Sequence, residues 1–215
     1  MKRLMFLVVG MLLCFNTVAF GAVDPNNNNI YYVAGFYEST QSANNVLQKN
    51  TGANYSCGPT SLLLVKNYYW MKTFGFPAHF TTDLISAIME IENVYNGMGK
   101  SYNTTTSTDE LKSLVKNVWQ WNTAVKASGN NSIATNFQTM VSRIKEDYPV
   151  ILALKPYYSG NPIPGYAHIV VFYKYNGDTN SIYYFDPYYG GTHVIQYNDI
   201  SNAIQGNLPY LRVAP

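Results

Sequence analysis

Apolar and polar positions divide the chain into two parts with different periodicities. Up to about residue 146, apolar residues recur every three or four positions, which predicts helices. Beyond Pro149, short runs rich in β-branched and aromatic residues predict strands. The pattern therefore predicts an α+β fold, with a helical first part packed on a C-terminal antiparallel sheet.

The best-supported predicted helix runs from Thr60 to Lys72 and begins at about Cys57. Pro59 falls in its first turn, where a missing N–H has no cost. Ser107 marks the start of a second predicted helix, because Glu110 follows three residues later and completes a capping box. The other apolar spacings that predict helices are Leu84, Ile85, Ile88, Met89 and Ile91; Leu111, Leu114, Val115 and Val118; and, in a helix from Ile133 to Glu146, Phe137, Met140, Val141 and Ile144.

The strands predicted in the second part are Val150 to Leu154, His168 to Tyr175, Ile182 to Phe185 and His193 to Tyr197. The run Asn176 to Asp178 marks a tight connection, so the second and third of these strands are predicted to form an antiparallel hairpin. Near the start of the chain, Tyr31 to Phe36 is predicted to be a short strand, and Glu38 to Lys49 a loop or short helix.

The first residues have the three regions of a secretory signal peptide. A basic start, Met1 to Arg3, precedes an apolar run from Leu4 to Phe15 and then small residues, which predicts cleavage after Gly21. The alternative is a membrane-spanning helix, which is disfavoured because about 20 apolar residues are needed to cross a bilayer and Asn16 ends the run too soon. We expect a secreted or periplasmic protein, of a form that fits a bacterium.

Three segments follow from this prediction: a signal peptide (1–21), a polar tether with four consecutive Asn (22–29) and one folded domain (30–215).

Charged residues make up 12% of the chain and the net charge is +2, so neither nucleic acid nor an anionic membrane is an expected partner. No later stretch is apolar enough for stable membrane insertion. A peptide or protein substrate is expected, without cofactor or metal, and no oligomeric state is predicted.

Removal of the signal peptide takes Cys14 with it and leaves Cys57 as the single thiol. Such a residue is a buried small side chain, an intermolecular bridge or a reactive group. The start of a helix stabilises a thiolate through its dipole and its unpaired N–H groups, and Gly58 allows a substrate backbone to approach closely. The neighbours of Cys57 therefore favour a nucleophile.

A histidine is the natural partner for the thiol proton. His168 begins a strand directly after the loop Gly160 to Gly165, which places it at the mouth of the sheet. The alternative for His168 is a structural bond to a backbone carbonyl. His79, in a loop between helices, is expected to be a surface or hinge residue, and His193 lies on a late strand.

Asp186 ends the strand that pairs with the His168 strand. The predicted hairpin places the two side by side, where a carboxylate would orient the imidazole, although an Asp before Pro187 is also a common turn residue. For the oxyanion, a side-chain amide together with the Cys57 N–H would form a two-donor site. Gln48 is preferred and Asn54 is the alternative; either is equally compatible with a plain loop residue.

Four blocks in this order resemble the bacteriocin-processing peptidases and their broader C39-like relatives. They are Tyr55-Ser56-Cys57-Gly58-Pro59-Thr60-Ser61, Tyr148-Pro149-Val150-Ile151, Ala167-His168-Ile169-Val170-Val171 and Tyr184-Phe185-Asp186-Pro187. The resemblance implies a papain-like cysteine peptidase fold. The Cys-Gly-(Ser/Ala)-Cys signature of papain itself is absent.

The resemblance also implies roles. Cys57 attacks the peptide bond, His168 acts as general base and acid, Asp186 orients it, and Gln48 completes the oxyanion site. Gln48 lies nine residues before Cys57 (57 − 48), whereas bacteriocin-processing members place their Gln closer. Those members are usually fused to a transporter and act in the cytoplasm, so leader-peptide cleavage is not carried over to a chain with an export signal.

The resulting hypothesis is an exported cysteine peptidase that hydrolyses peptide bonds through a Cys-His-Asp triad and a thioester. An amidase or a transglutaminase-like acyl transferase would use the same residues. A secreted binding protein on a peptidase-like scaffold is the third hypothesis. The polar loop Thr104 to Thr106 is assigned no function.

Overall fold

A computed structural model describes residues 21–126, 131–155, 165–204 and 210–215. The predicted signal peptide, apart from Gly21, and nearly all of the loop Gly160 to Gly165 lie outside these residues. Within them, eight strands form one antiparallel sheet against which the helices pack. The predicted α+β architecture is confirmed.

The helices are α1 (Phe36–Gln41), α2 (Gln48–Thr51), α3 (Cys57–Phe74), α4 (Leu84–Gly97), α5 (Thr108–Asn117), α6 (Ile133–Lys145) and α7 (Ile200–Ala203), with single 3-10 turns at Asn44–Val46, His79–Thr81 and Tyr197–Asp199. The strands are β1 (Ala22–Asp24), β2 (Asn27–Tyr32), β3 (Thr123–Lys126), β4 (Val150–Leu154), β5 (His168–Asn176), β6 (Ser181–Phe185), β7 (Thr192–Gln196) and β8 (Tyr210–Ala214). None of the described helices is long and apolar enough to cross a membrane.

Strand β5 is the centre of the sheet. One of its edges pairs with β4 along the first half and with β2 along the second half. Its other edge pairs with β6, which in turn pairs with β7. Strand β8 continues the sheet from β4 to β3. Because His168 is the first residue of β5, it stands at an end of the sheet and opposite Leu154 of β4.

Helix α3 packs on strand β5 of this sheet, and most of its residues from Gly58 to Tyr68 are buried. It packs against β5, α1, α4 and α5, and its core residues include Leu62, Leu63, Leu64 and Val65. A helix that is apolar nearly all round is one that is surrounded by other elements. The Ser61 hydroxyl donates to the carbonyl of Ile169 in β5 at 3.0 Å. This packing fixes the start of α3 beside the start of β5.

The segment 22–29 is not the tether that its polarity predicts. Strand β1 pairs with β2, and β2 pairs with β5, so the folded unit begins before residue 30. Two residues of the Asn run, Asn27 and Asn29, donate to the carboxylate of Asp178 at the tip of the β5–β6 hairpin, at 2.5 and 2.6 Å. Asn side chains that would be solvated in a tether are used here to bind a turn.

Other differences concern short elements. The strand predicted over Tyr31 to Phe36 stops at Tyr32, because Gly35 takes a left-handed conformation (φ 78°) and Phe36 begins α1. The pattern missed β3 and β8, which are neighbouring antiparallel strands at one edge of the sheet. A strand whose partner lies nearly ninety residues away along the chain (213 − 124, for Ala124 and Val213) carries no local hairpin signal.

Candidate active site

Cys57 is the first residue of α3, and its thiol is half-buried. The preceding Ser56 does not cap the helix: its hydroxyl donates to the carbonyl of Ala53 at 2.7 Å. The N–H groups of Cys57 and Gly58 lie in the first turn, where no carbonyl of the helix can accept them. The helix therefore presents uncapped donors beside the thiol.

Position 58 has to be a glycine because the loop that contains Thr106 packs directly against the start of α3. A Cβ at this position would overlap the Thr106 hydroxyl and press on Ile169 of β5 and Leu111 of α5. The absence of a side chain lets the helix start lie directly against the loop that precedes α5. This contact brings the Thr106 loop to the nucleophile.

His168 and Asp186 are diagonal neighbours on one face of the β5–β6 pair. Val171 stands opposite Phe185, so continuing the register by one residue puts Asp186 opposite Val170, which shares a face with His168. The His168 Nε2 and Asp186 Oδ1 atoms lie 3.0 Å apart, and the two residues are 1% and 2% exposed. Because Nε2 faces the carboxylate, Nδ1 is the ring nitrogen that remains for the Cys57 thiol, and both residues line the same small cavity.

The electrostatic balance favours a charged imidazole. Burial alone would lower the pKa of His168, but hydrogen bonds with Asp186 and Cys57 and the charges of these two groups raise it to about 9. The pKa of Asp186 moves the other way. Burial opposes ionisation of its carboxyl, but the bond with His168 and the N–H groups of Tyr188 and Tyr189, at 2.6 and 3.3 Å, hold its pKa below the ordinary value.

Gln48 lies on α2 and is 1% exposed. Its side-chain nitrogen donates to the carbonyls of Ala53 and Asn54 at 3.2 and 2.9 Å. Its backbone N–H donates to the carbonyl of Pro187 at 3.0 Å. Gln48 thus links the loop that follows Asp186 to the segment that leads into Cys57.

A small cavity of about 30 Å³ lies beside the thiol and the imidazole. It is lined by Asn54, Tyr55, Cys57, Thr105, Thr106, Tyr166, Ala167 and His168. Asn54 contributes to this wall, whereas the side chain of Gln48 is engaged behind it. The oxyanion roles of both amides stay predictions.

The other two histidines lie elsewhere. His79 is exposed in a 3-10 turn and lines a groove with Trp70 and Met89. His193 is exposed on β7 and stacks on the Tyr184 ring at 5.3 Å between centroids. The structure therefore brings Cys57, His168 and Asp186 together, with Gln48 and Asn54 close by, and leaves His79 and His193 apart.

Three cavity-lining residues have no sequence signal that marks them. Thr105 and Thr106 precede α5, and Tyr166 precedes β5, where its ring meets that of Tyr55 edge to face at 5.5 Å. A polar loop before a capping box is common at the start of a helix. Only tertiary packing brings the loop that contains Thr105 and Thr106 to Cys57. Across the described ranges, no group of three or more His, Cys, Asp or Glu is placed to hold a metal ion.

A thiol at the start of a helix packed on an antiparallel sheet, in one cavity with a histidine at the start of the central strand, is typical of the papain-like α+β class. The model of the Peptidase_C39 like family matches residues 40–210. The chain belongs to this C39-like family, as the four sequence blocks predict. Membership supports a peptidase of the cysteine type. No curated protein matches the chain.

Proposed function

We propose that the protein is an exported cysteine peptidase that hydrolyses peptide bonds with Cys57, His168 and Asp186. The observation that carries this proposal is the position of His168, whose imidazole is hydrogen-bonded to Asp186 and lines one small cavity together with Cys57. An imidazolium held in this way favours the thiolate, which is the form of cysteine that attacks carbonyl carbons.

In the first step the thiolate sulfur adds to the carbonyl carbon of the peptide bond. The resulting oxyanion is held by the Cys57 N–H and by a side-chain amide, which is supplied by Gln48 or Asn54. His168 gives its proton to the amine nitrogen, the C–N bond breaks, and the amine leaves a thioester on Cys57. Asp186 keeps the ring oriented throughout this transfer.

In the second step water attacks the thioester carbon. His168 takes a proton from this water, the new C–O bond forms and the C–S bond breaks, which releases a carboxylic acid. The thiolate and the imidazolium are restored, so the cycle consumes one water for each peptide bond. Attack by an amine in place of water would give the acyl transfer of a transglutaminase-like enzyme.

The test combines thiol alkylation with a peptide library. We expect iodoacetamide to alkylate Cys57 at pH 7 at least about tenfold faster in the wild type than in His168→Ala, because the imidazolium that stabilises the thiolate is lost. Mass spectrometry after incubation with random octapeptides should show shortened peptides with the wild type and none with Cys57→Ala.

Equal alkylation of the wild type and His168→Ala would contradict an activated pair. Peptides joined to amines, without shortened products, would identify an acyl transferase. If the thiol is alkylated rapidly but all peptides stay intact, the result would favour the third hypothesis, a secreted binding protein on a peptidase-like scaffold. The buried His168–Asp186 pair, which shares a cavity with Cys57, supports the catalytic hypothesis over that scaffold.

A further inference from the structure

A second, larger cavity lies where α1 meets the strands β2, β5 and β6. It has a volume of about 490 Å³ and is lined by four tyrosines, Tyr32, Tyr37, Tyr173 and Tyr183, so we call it the tyrosine pocket. Sites for small molecules usually measure roughly 300–1,000 Å³. No described residue lines both this pocket and the cavity beside Cys57. The tyrosine pocket is therefore separate from the candidate active site.

The register of the sheet builds one wall of the tyrosine pocket. Tyr32 of β2 stands opposite Lys174 of β5, and Lys174 stands opposite Tyr183 of β6. Residues that stand opposite each other on neighbouring strands share a face of the sheet, so these three side chains form a row. The Lys174 ammonium lies over the Tyr183 ring, 4.9 Å from its centroid.

Helix α1 and the strand β5 supply the other wall. The rings of Tyr37 and Tyr173 are stacked, with 6.4 Å between their centroids. The Tyr173 hydroxyl is hydrogen-bonded to that of Thr192 at 2.6 Å, which fixes the end of its ring. Two aromatic faces are thus held in place at the wall of the pocket.

Three charged side chains also line the pocket, and they carry both signs. Asp24 and Glu38 supply carboxylates and Lys174 supplies an ammonium. Every ion pair within the described ranges joins other residues, so none of these three has a counter-ion there. All three are exposed or half-buried. A ligand in the pocket can therefore reach each of these charges.

The two carboxylates are directed by their surroundings. The N–H of Asn26 donates to Asp24 Oδ1 at 2.9 Å, which orients that carboxylate. Glu38 lies near the stacked rings: burial, and to a smaller extent its negative charge, raise the pKa of the Tyr173 hydroxyl. Negative charge is thus placed beside the aromatic wall of α1, and positive charge lies in the row on the sheet.

This charge distribution favours a ligand that carries both signs. A simple cation in the pocket would be repelled by Lys174, and a simple anion would be repelled by Asp24 and Glu38. A zwitterion forms favourable pairs with both sets of charges. The tyrosine faces attract an ammonium group and offer area to an aromatic side chain.

We propose that the tyrosine pocket binds a free amino acid, with its carboxylate on Lys174 and its ammonium on Glu38 and Asp24. The side chain of the ligand packs on the tyrosine rings, which favours an aromatic amino acid. This site goes beyond the proposed peptidase function and does not depend on it.

The first test varies the ligand and uses the wild type alone. L-phenylalanine carries both charges and an aromatic ring, L-phenylalaninamide lacks the carboxylate, and N-acetyl-L-phenylalanine lacks the ammonium. Isothermal titration calorimetry should give the tightest binding for L-phenylalanine. We expect each analogue to bind about three- to tenfold more weakly, since each loses one partly exposed ion pair.

Two variants then assign the ends of the ligand. Lys174→Met should weaken the binding of L-phenylalanine about three- to tenfold without weakening that of L-phenylalaninamide, which has no carboxylate to lose. Glu38→Gln should weaken L-phenylalanine and L-phenylalaninamide by a similar factor to each other, without weakening N-acetyl-L-phenylalanine. Lys116→Met is the matched control, because Lys116 is exposed on α5 and does not line the pocket. We expect this control to bind L-phenylalanine like the wild type.

Alkylation of Cys57 with iodoacetamide separates the pocket from the candidate active site. The alkylated protein should bind L-phenylalanine with unchanged affinity, and loss of binding would place the ligand beside the thiol and overturn the inference. Peptide cleavage is not needed for this site, so failure of the peptidase proposal would leave the inference standing.

Other results would also overturn the inference. One is the absence of saturable L-phenylalanine binding to the wild type. A second is tighter binding of L-phenylalaninamide than of L-phenylalanine, which would identify a site for simple cations. A third is equal weakening of all three ligands by Lys174→Met, because the lysine would then support the shape of the pocket. The ligand comparison on the wild type decides the matter if a variant does not fold.

Discussion

His168 is the residue on which the chemistry of the site depends. It is almost completely buried, yet the hydrogen bonds with Asp186 and Cys57 raise its pKa to about 9. A buried cation needs such partners because the interior alone would expel the proton. The same arrangement makes the histidine a contributor to stability as well as to catalysis.

The sign of that contribution follows from the direction of the pKa shift. The folded protein holds the proton up to about pH 9, whereas the unfolded chain loses it near 6.5. The stabilisation is therefore fully present below pH 6.5, declines as the pH rises, and is lost above about 9. Over this window the change amounts to roughly 3 kcal/mol.

Urea unfolding at several pH values checks this prediction. The stability advantage of the wild type over His168→Gln should shrink by roughly that amount between pH 6.5 and 9. His193→Gln, a change at an exposed histidine of β7, should follow the wild type over the same range. A constant difference between the wild type and His168→Gln would show that His168 is not held protonated.

At the scale of elements, the site exists because a helix start, a loop and a hairpin meet. Helix α3 and the β5–β6 hairpin have local signals: Pro59 in a first turn, an unbroken apolar run, and Asn176 to Asp178 between two strands. These are short-range features, and both elements were predicted from the sequence. The α+β class and the family follow from the same residues.

Other parts of the site could not be predicted because their contacts are long-range. Thr106 reaches Cys57 through the packing of the loop on Gly58, and no periodicity encodes that contact. Similarly, the Asn run from Asn26 to Asn29 reads as solvated, and its partner Asp178 lies about 150 residues away. Both Asn54 and Gln48 are predicted from the sequence as candidate donors to the oxyanion. Only the structure distinguishes their surroundings. Asn54 lines the cavity, whereas the side-chain nitrogen of Gln48 donates to two backbone carbonyls.

The contact between α3 and the loop gives a prediction at this scale. Gly58→Ala should destabilise the protein by about 1–3 kcal/mol, because the new methyl group overlaps the Thr106 hydroxyl and forces the helix start away from the loop. Chemical denaturation measures this loss. The double variant Gly58→Ala/Thr106→Ala should recover part of it, since the overlapping atom is removed. Additive effects of the two changes would show that the contact is not the cause.

At the scale of the whole molecule, the sheet begins close to the predicted cleavage site. Ala22 of β1 stands opposite Tyr32 of β2, so a chain that starts at Ala22 keeps its edge strand. Cleavage after Gly21 would remove one described backbone bond, from the Gly21 N–H to the carbonyl of Lys145 at 2.5 Å. The fold is thus compatible with the export that we propose.

Expression of the full chain in a bacterium with Sec-type export tests this proposal. We expect the exported protein to begin at Ala22 by mass spectrometry, because the basic start and apolar run direct export and the small residues before Ala22 suit cleavage. Titration of the unfolded product with a thiol reagent should give one thiol per chain, since Cys14 leaves with the signal peptide and Cys57 remains. Leu12→Arg, which places a charge in the apolar run, should keep the chain uncleaved and inside the cell. A product with two thiols in the membrane fraction would instead support a retained membrane-spanning helix.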